Sequence, residues 1–226
     1  MRLIVCEGGS LRATDFVEIR SVRSVHHGAR LGQLCPGWAG LSDVRVLKNV
    51  GRQVRVISRW RENRLDLPRW LVRRPLLAIG IGAAEIAESL SNRMDHRLKL
   101  LAQCRVASIV GCEFCLDIGA ALAQHSDITE RHLLELDDFE TSDAFNDDER
   151  LVLRFATALS ERPVPDLTNL RDGLVARFGK AALVELAAAI AHEHERTRFY
   201  LALGIRPGGF APDGACRIPQ ALAPRQ

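Results

Sequence analysis

From residue 76 onward the apolar positions recur at three- and four-residue steps, the period of an amphipathic helix. Leu76 to Leu90 is rich in Ala, Ile and Leu, and Asp95 to Val110 follows with Leu98, Leu101, Ala102, Val106 and Ile109 on that period. A third helix should contain Cys112 to Gln124, and Ser126 and Asp127 can cap a fourth through Leu136. Asn146, Asp147, Asp148 and Glu149 place acceptors and negative charge at the start of a fifth, which runs to about Ser160 before Pro163 and Pro165. Asp166 caps a sixth through Phe178, and Gly179 ends it. A long seventh covers Lys180 to Leu203, after which Gly204, Pro207, Gly208 and Gly209 close the run.

The first third of the chain has another pattern. Glycines and prolines punctuate short segments, and Val44, Val46, Val54 and Val56 alternate with polar residues around Asn49-Val50-Gly51, which predicts a short hairpin. Leu67-Pro68 and Arg74-Pro75 then read as helix entries, because proline is tolerated in a first turn. The chain therefore divides into a basic extension of undefined structure at 1–66, an all-α domain at 67–206 and a tail at 207–226.

Charge sharpens that division. Lys and Arg number 31 against 28 Asp and Glu, a net charge of +3 over 226 residues. Residues 1–75 carry 15 basic and 6 acidic side chains, so the remainder is acidic overall. Neither balance indicates a nucleic-acid partner, and the cluster Arg55, Arg59, Arg61, Glu62, Arg64, Arg73 and Arg74 reads as solvated surface. The apolar window Leu76 to Ala84 falls well short of the roughly 20 residues that span a bilayer. Glu7 interrupts Leu3 to Cys6 before a signal-peptide core can form. The expectation is a soluble, cytoplasmic protein without a membrane partner.

Six cysteines at 6, 35, 104, 112, 115 and 216 show no disulfide-scaffold spacing. The chemistry lies in Gly111-Cys112-Glu113-Phe114-Cys115-Leu116-Asp117. Two thiols three residues apart share a helix face and can close a local disulfide. The same spacing also serves half of a zinc site or a buried apolar pair, so the pattern alone leaves three readings open. If Gly111 marks the turn, Cys112 lies in the first turn of a helix, where the dipole lowers a thiol pKa. Zinc would need further ligands. His192 and His194 cannot both face one metal, because positions i and i+2 point about 200° apart on a helix, and the expectation is no metal.

The last helix separates those histidines. Leu183, Ala187, Ile190, His194, Thr197 and Leu201 form one stripe, which should face the core and turns His194 inward. His192 then points away, toward Glu185, Arg196 and Phe199, as a partly exposed group. His194 is either a core histidine satisfied by a neighbour or a proton donor for the thiols. Cys104 reads as a small buried hydrophobe.

Residues 75 to about 206 resemble the carboxymuconolactone decarboxylase and alkylhydroperoxidase D (AhpD-like) superfamily. The resemblance is carried by Arg105-Val106-Ala107-Ser108-Ile109-Val110-Gly111-Cys112-Glu113-Phe114-Cys115 and by Arg196-Thr197-Arg198-Phe199-Tyr200-Leu201-Ala202-Leu203-Gly204. It implies an all-helical fold, homo-oligomers, and redox chemistry at the cysteine pair. In the peroxidase branch the second cysteine attacks a peroxide and the first resolves it, roles that fall on Cys115 and Cys112. That branch also relays protons through a Glu and a His, at positions held here by Leu100 and Gly119. Asp117 instead matches a branch reading Cys-x-x-Cys-x-Asp-x-Gly. The relay can have moved to Asp117, Glu193 or His194, of which the stripe favours His194.

The expected function is a thiol-dependent peroxidase or disulfide oxidoreductase. Its substrate is a hydroperoxide, its electron donor an external dithiol, and it uses no cofactor. The alternatives are a non-enzymatic redox-responsive or assembly module and, ranked below it, a decarboxylase of the carboxymuconolactone type.

Overall fold

The computed structural model describes residues 44–58 and 60–211. Among these residues the chain forms nine helices and no strand. They are α1 (Val44–Ser58), α2 (Asp66–Leu71), α3 (Pro75–Leu90), α4 (His96–Val110), α5 (Glu113–Ala123), α6 (Glu130–Leu134), α7 (Asp147–Ser160), α8 (Thr168–Phe178) and α9 (Lys180–Ala202). None is long and apolar enough to cross a membrane.

Helix α4 is the axis of the packing, with α5, α7 and α9 laid against it. Its Leu98, Ala102 and Val106 meet Val152, Phe155 and Ala156 of α7, Leu174 of α8, and Leu186 and Ile190 of α9. A second cluster joins Leu100, Leu101 and Cys104 to Ile128, Phe139, Phe145 and Leu153. Helix ends follow local chemistry. The Asp95 carboxylate accepts the Arg97 N–H at 2.7 Å to open α4. Asn146 and Glu149 exchange side-chain-to-backbone bonds of 3.0 and 2.9 Å at the start of α7, the reciprocal cap that an Asn-x-x-Glu sequence permits. Gly111 ends α4 with φ of 78°, a left-handed conformation that favours glycine, so that α5 starts at once in a new direction.

Three expectations need correction. The hairpin over Val44 to Val56 is α1 instead: Val46, Val50 and Val54 are also four residues apart, so alternation and helical period coincide, and burial of Val56 against the helical core decides between them. The fourth predicted helix shrinks to α6. Thr129 and His132 cap it, while the Ser126 hydroxyl donates to Leu122 O and Asp127 takes φ of 55°, so the chain turns there. Packed structure also reaches beyond 67–206 at both ends, since Val56 and Trp60 on one side and Phe210 on the other enter the same core cluster. Expectations that fall on residues 1–43 and 212–226, including Cys6, Cys35 and Cys216, lie outside the described residues.

Candidate functional site

Cys112 and Cys115 are joined by a disulfide, with Cα atoms 5.3 Å apart. Cys112 is the N-cap of α5 rather than a first-turn residue, because Gly111 spends one position on ending α4. Its sulfur accepts the Cys115 N–H at 3.3 Å. Both sulfurs therefore sit at the positive end of the α5 dipole, which stabilises a thiolate. Their exposure differs. Cys112 is sealed at 1 % exposure, whereas Cys115 is half-buried.

An aromatic enclosure surrounds them. Phe114, between the two cysteines, meets Tyr200 edge-on at 5.1 Å and Trp60 and Phe210 at 5.9 Å each. Trp60 and Phe210 lie 5.4 Å apart. Phe210 belongs to a strap of residues 205–211 that follows α9, and Asp117 holds this strap. Its carboxylate accepts N–H bonds from Gly208 (2.8 Å), Phe210 (3.1 Å) and Ala211 (2.9 Å). On the other side the N–H groups of Arg61 and Glu62 donate to Gly208 O. The aspartate of the Cys-x-x-Cys-x-Asp motif thus tethers the cover of the thiol pair. Asp117→Ala leaves three amides without that acceptor and should lower stability by about 2–4 kcal/mol, with Asp117→Asn in between. Denaturant unfolding gives the first number. Iodoacetamide labelling of the reduced protein should show Cys112 reacting faster in both variants, and unchanged labelling would mean that the strap does not cover the pair.

The structure separates the two histidines, but not as the stripe suggests. The buried line of α9 runs through Ala182, Leu186, Ile190, Glu193, Thr197 and Tyr200, while Leu201 is 48 % exposed. His194 is half-buried beside that line. Arg198 Nη1 donates to its Nδ1 at 2.6 Å, which assigns the ring proton to Nε2, 3.0 Å from Ser160 Oγ. Burial, with the charges of Arg198 and Arg162, pushes its pKa below the usual histidine value.

His192 is not a surface group. Its ring is 11 % exposed, and Nδ1 lies 2.8 Å from Glu88 Oε2. The Glu88 bond raises its pKa against the opposing effect of burial. Around it α3 and α9 assemble a charged cluster: Arg196 pairs with Glu85 at 2.8 Å and with the buried Glu193 at 2.5 Å, and Gln103 of α4 donates to Glu88. Burial raises the Glu193 pKa, with Arg196 working the other way. Donor atoms of Glu85, Glu88 and His192 converge within 4.8 Å, but the cation at that point is the Arg196 guanidinium. Sequence reading named Glu193 as a candidate yet missed Glu85, Glu88 and Arg196 as a group. One signal was available: those two glutamates are the sole charges in α3.

The remaining positions of the resemblance are structural. Arg105 ion-pairs with Asp137 and donates to Thr157 Oγ1 at 3.0 Å. Leu100 is core, and a Cβ on Gly119 would stand 2.8 Å from Cys104 Sγ.

No protein-family model matches the chain. YnjA of Escherichia coli strain K12, an uncharacterized protein, is 35% identical over 127 residues, 56% of this chain and 67% of YnjA. Among solved structures, the debrominase Bmp8 superposes with a TM-score of 0.56 at 24% identity, covering 62% of this chain and 75% of Bmp8. ATU0492 of Agrobacterium tumefaciens, a protein of unknown function suggested to be an AhpD antioxidant-defence protein, superposes with a TM-score of 0.56 at 22% identity, covering 61% of this chain and 94% of its own. The chain shares the helical fold of Bmp8 and ATU0492, and it belongs to one family with YnjA.

Proposed function

We propose that the protein is a thiol-dependent peroxidase or disulfide oxidoreductase in which Cys115 attacks a hydroperoxide and Cys112 resolves the product. One juxtaposition supports this reading: two bonded sulfurs at the head of a helix, one sealed and one half-buried, inside an aromatic enclosure. The more reachable sulfur suits the attacking role and the sealed one the resolving role. In the first step the Cys115 thiolate takes the outer oxygen of the peroxide, the O–O bond breaks, and the departing alkoxide picks up a proton to leave as an alcohol. Cys112 then attacks the sulfenic acid, forming the disulfide and releasing water. An external dithiol returns two electrons and two protons, and is itself oxidised to a disulfide.

The active form is a homo-oligomer in this proposal. Leu76, Leu77, Ile79 and Ile86 of α3 are each more than half exposed, an apolar face that a second copy of the chain would cover. A mass above that of one chain in light scattering is the expected result.

The debrominase neighbour, solved also with 2,3,4-tribromopyrrole bound, motivates a second reading, favoured by the wall of Trp60, Phe114 and Phe210. There the dithiol would reduce an aryl bromide to the arene and bromide, ending in the same Cys112–Cys115 disulfide. Steady-state consumption of hydrogen peroxide and of an organic hydroperoxide, with several dithiol donors, decides the matter. Many equivalents consumed per chain are expected. A single equivalent would leave a redox-responsive module, and turnover of a bromopyrrole alone would select the second reading.

A further inference from the structure

We propose that the recess between α2 and the turn after α9, lined by Asp66, Arg69, Trp70, Arg73, Gly204 and Arg206, binds the phosphate group of a small phosphomonoester. The site does not depend on the thiol chemistry proposed above, since neither cysteine lines it. It gives Arg73, which the sequence alone reads as solvated surface, a place in a binding site.

Charge is the first support. Three guanidiniums and one carboxylate line the recess. The Arg206 bond holds the Asp66 carboxyl below its usual pKa, so Asp66 is ionised at neutral pH and the lining keeps a surplus of two positive charges. A phosphomonoester carries about −1.5 to −2 charges at pH 7, a closer match to that surplus than a single carboxylate. Unused donors are the second support. Arg206 gives Nε and Nη2 to Asp66 at 2.9 and 3.1 Å, and its Nη1 has no acceptor among the described residues. Arg73 gives Nη1 to Arg69 O, and its guanidinium lies over the Trp70 ring, 5.5 Å from the centroid, with Nε and Nη2 still to spare. The Arg69 guanidinium makes no hydrogen bond or ion pair among the described residues. Forked donors of this kind suit the oxygens of a phosphate, which they can bind in pairs.

The walls are also fixed in place. The Arg206–Asp66 pair ties α2 to the chain after α9, Asn63 Nδ2 donates to Pro207 O at 2.7 Å, and the N–H groups of Arg61 and Glu62 donate to Gly208 O. Behind the recess Leu67 and Ile205 pack into the cluster that holds the cysteines. A site formed in advance spends little free energy on ordering when it binds. Its cavity of about 300 Å³ lies at the lower end of the roughly 300–1,000 Å³ found for ligand pockets, which limits the occupant to one small molecule. Trp70, 47 % exposed, offers apolar surface to the organic part of the ester. A soluble ester and the terminal phosphate of a lipid headgroup present the same anion, and the test separates them.

The test is calorimetric titration of the full-length chain with phenyl phosphate, with inorganic phosphate and with phenol. Saturable binding of one phenyl phosphate per chain is expected, tighter than that of inorganic phosphate, with none for phenol. It should weaken as salt is raised and as pH falls below about 6, where the phosphate takes up a proton. Arg69→Gln and Arg73→Gln should each weaken it by about tenfold or more. Both residues are exposed, so neither substitution threatens the fold. Arg171→Gln removes the same charge from an exposed position on α8 and should leave the affinity within about twofold. Phenyl phosphate should also change the indole fluorescence, and Trp70→Phe should remove that change. Phosphatidylcholine vesicles with and without phosphatidate supply the other arm. Sedimentation with the vesicles that requires phosphatidate, and is lost in Arg69→Gln and Arg73→Gln, would support the site and name a lipid headgroup as its source. Binding of neither phosphate nor phosphatidate vesicles would overturn the proposal. Phenol binding as tight as that of phenyl phosphate, or an equal loss in Arg171→Gln and Arg69→Gln, would do the same.

Discussion

Cys115→Ser is expected to abolish peroxide turnover, by on the order of 10³-fold or more, because a serine hydroxyl at neutral pH is not the nucleophile that a thiolate is. Cys112→Ser should behave differently. That variant keeps the attacking sulfur, so each chain should still consume one equivalent of peroxide and stop at a Cys115 sulfenic acid, trappable by dimedone and visible as one adduct by mass spectrometry. The asymmetry follows from burial. Cys112 sits sealed at the N-cap beneath Trp60, Phe114 and Phe210, while Cys115 is half-buried one turn on. If Cys112→Ser abolishes the first equivalent and Cys115→Ser preserves it, the roles are reversed. Cys104 offers an internal check: it is 2 % exposed and packed against Gly119, so it should remain unmodified through the first equivalent.

The same residues show how far the sequence carries. Helices α3 to α5 and α7 to α9 were legible because their caps and periods agree: Pro75, Asp95, Asn146 with Glu149, and Gly179 each stand where backbone chemistry wants them. Helix α1 was not, because valines spaced by two and by four satisfy strand and helix alike until a partner surface selects one. At the site, the thiol pair was visible as a motif, since its spacing alone brings the sulfurs together. The strap was invisible, because the partners of Asp117 are backbone amides 91 to 94 residues away, and amides leave no mark in composition. The charged cluster was hidden for another reason. Reading α9 by hydropathy placed its inward stripe through His194, but Glu193 lies on the buried line and is tolerated there because Arg196, one turn on, brings its own countercharge. Hydropathy ranks each residue singly, whereas burial of a charge is a property of the pair.

The residues at positions 100 and 119 are fixed by packing. Any side chain at 119 needs the space that Cys104 Sγ fills, 2.8 Å from where its Cβ would stand. Placing a histidine there would require removing Cys104 as well. Leu100 is equally committed, being buried beside Leu101, Ala123 and Phe145. Both positions therefore serve apolar packing, while Glu85, Glu88, His192, Glu193 and Arg196 form a charged cluster between α3 and α9.

That cluster makes Arg196 consequential for stability. Arg196→Met should destabilise the protein by about 3–5 kcal/mol at neutral pH, since removing one partner of a buried ion pair leaves the others uncompensated. Glu85, Glu88 and Glu193 would then face one another with His192 as the remaining positive group. Burial already raises the Glu193 pKa, and losing Arg196, which opposes that, would raise it further above the unfolded value, so the folded variant would bind more protons than the unfolded chain. By linkage its stability must fall as pH rises from the unfolded carboxylate range toward neutrality, and recover as pH is lowered again. Urea unfolding at about pH 7.5 and about pH 5.5 should accordingly show a larger deficit, relative to the unsubstituted protein, at the higher pH. Arg196→Met/Glu193→Gln should regain part of the loss, because the second substitution removes one of the stranded charges. A single variant that is as stable as the parent at both pH values would show that the three carboxylates do not depend on Arg196.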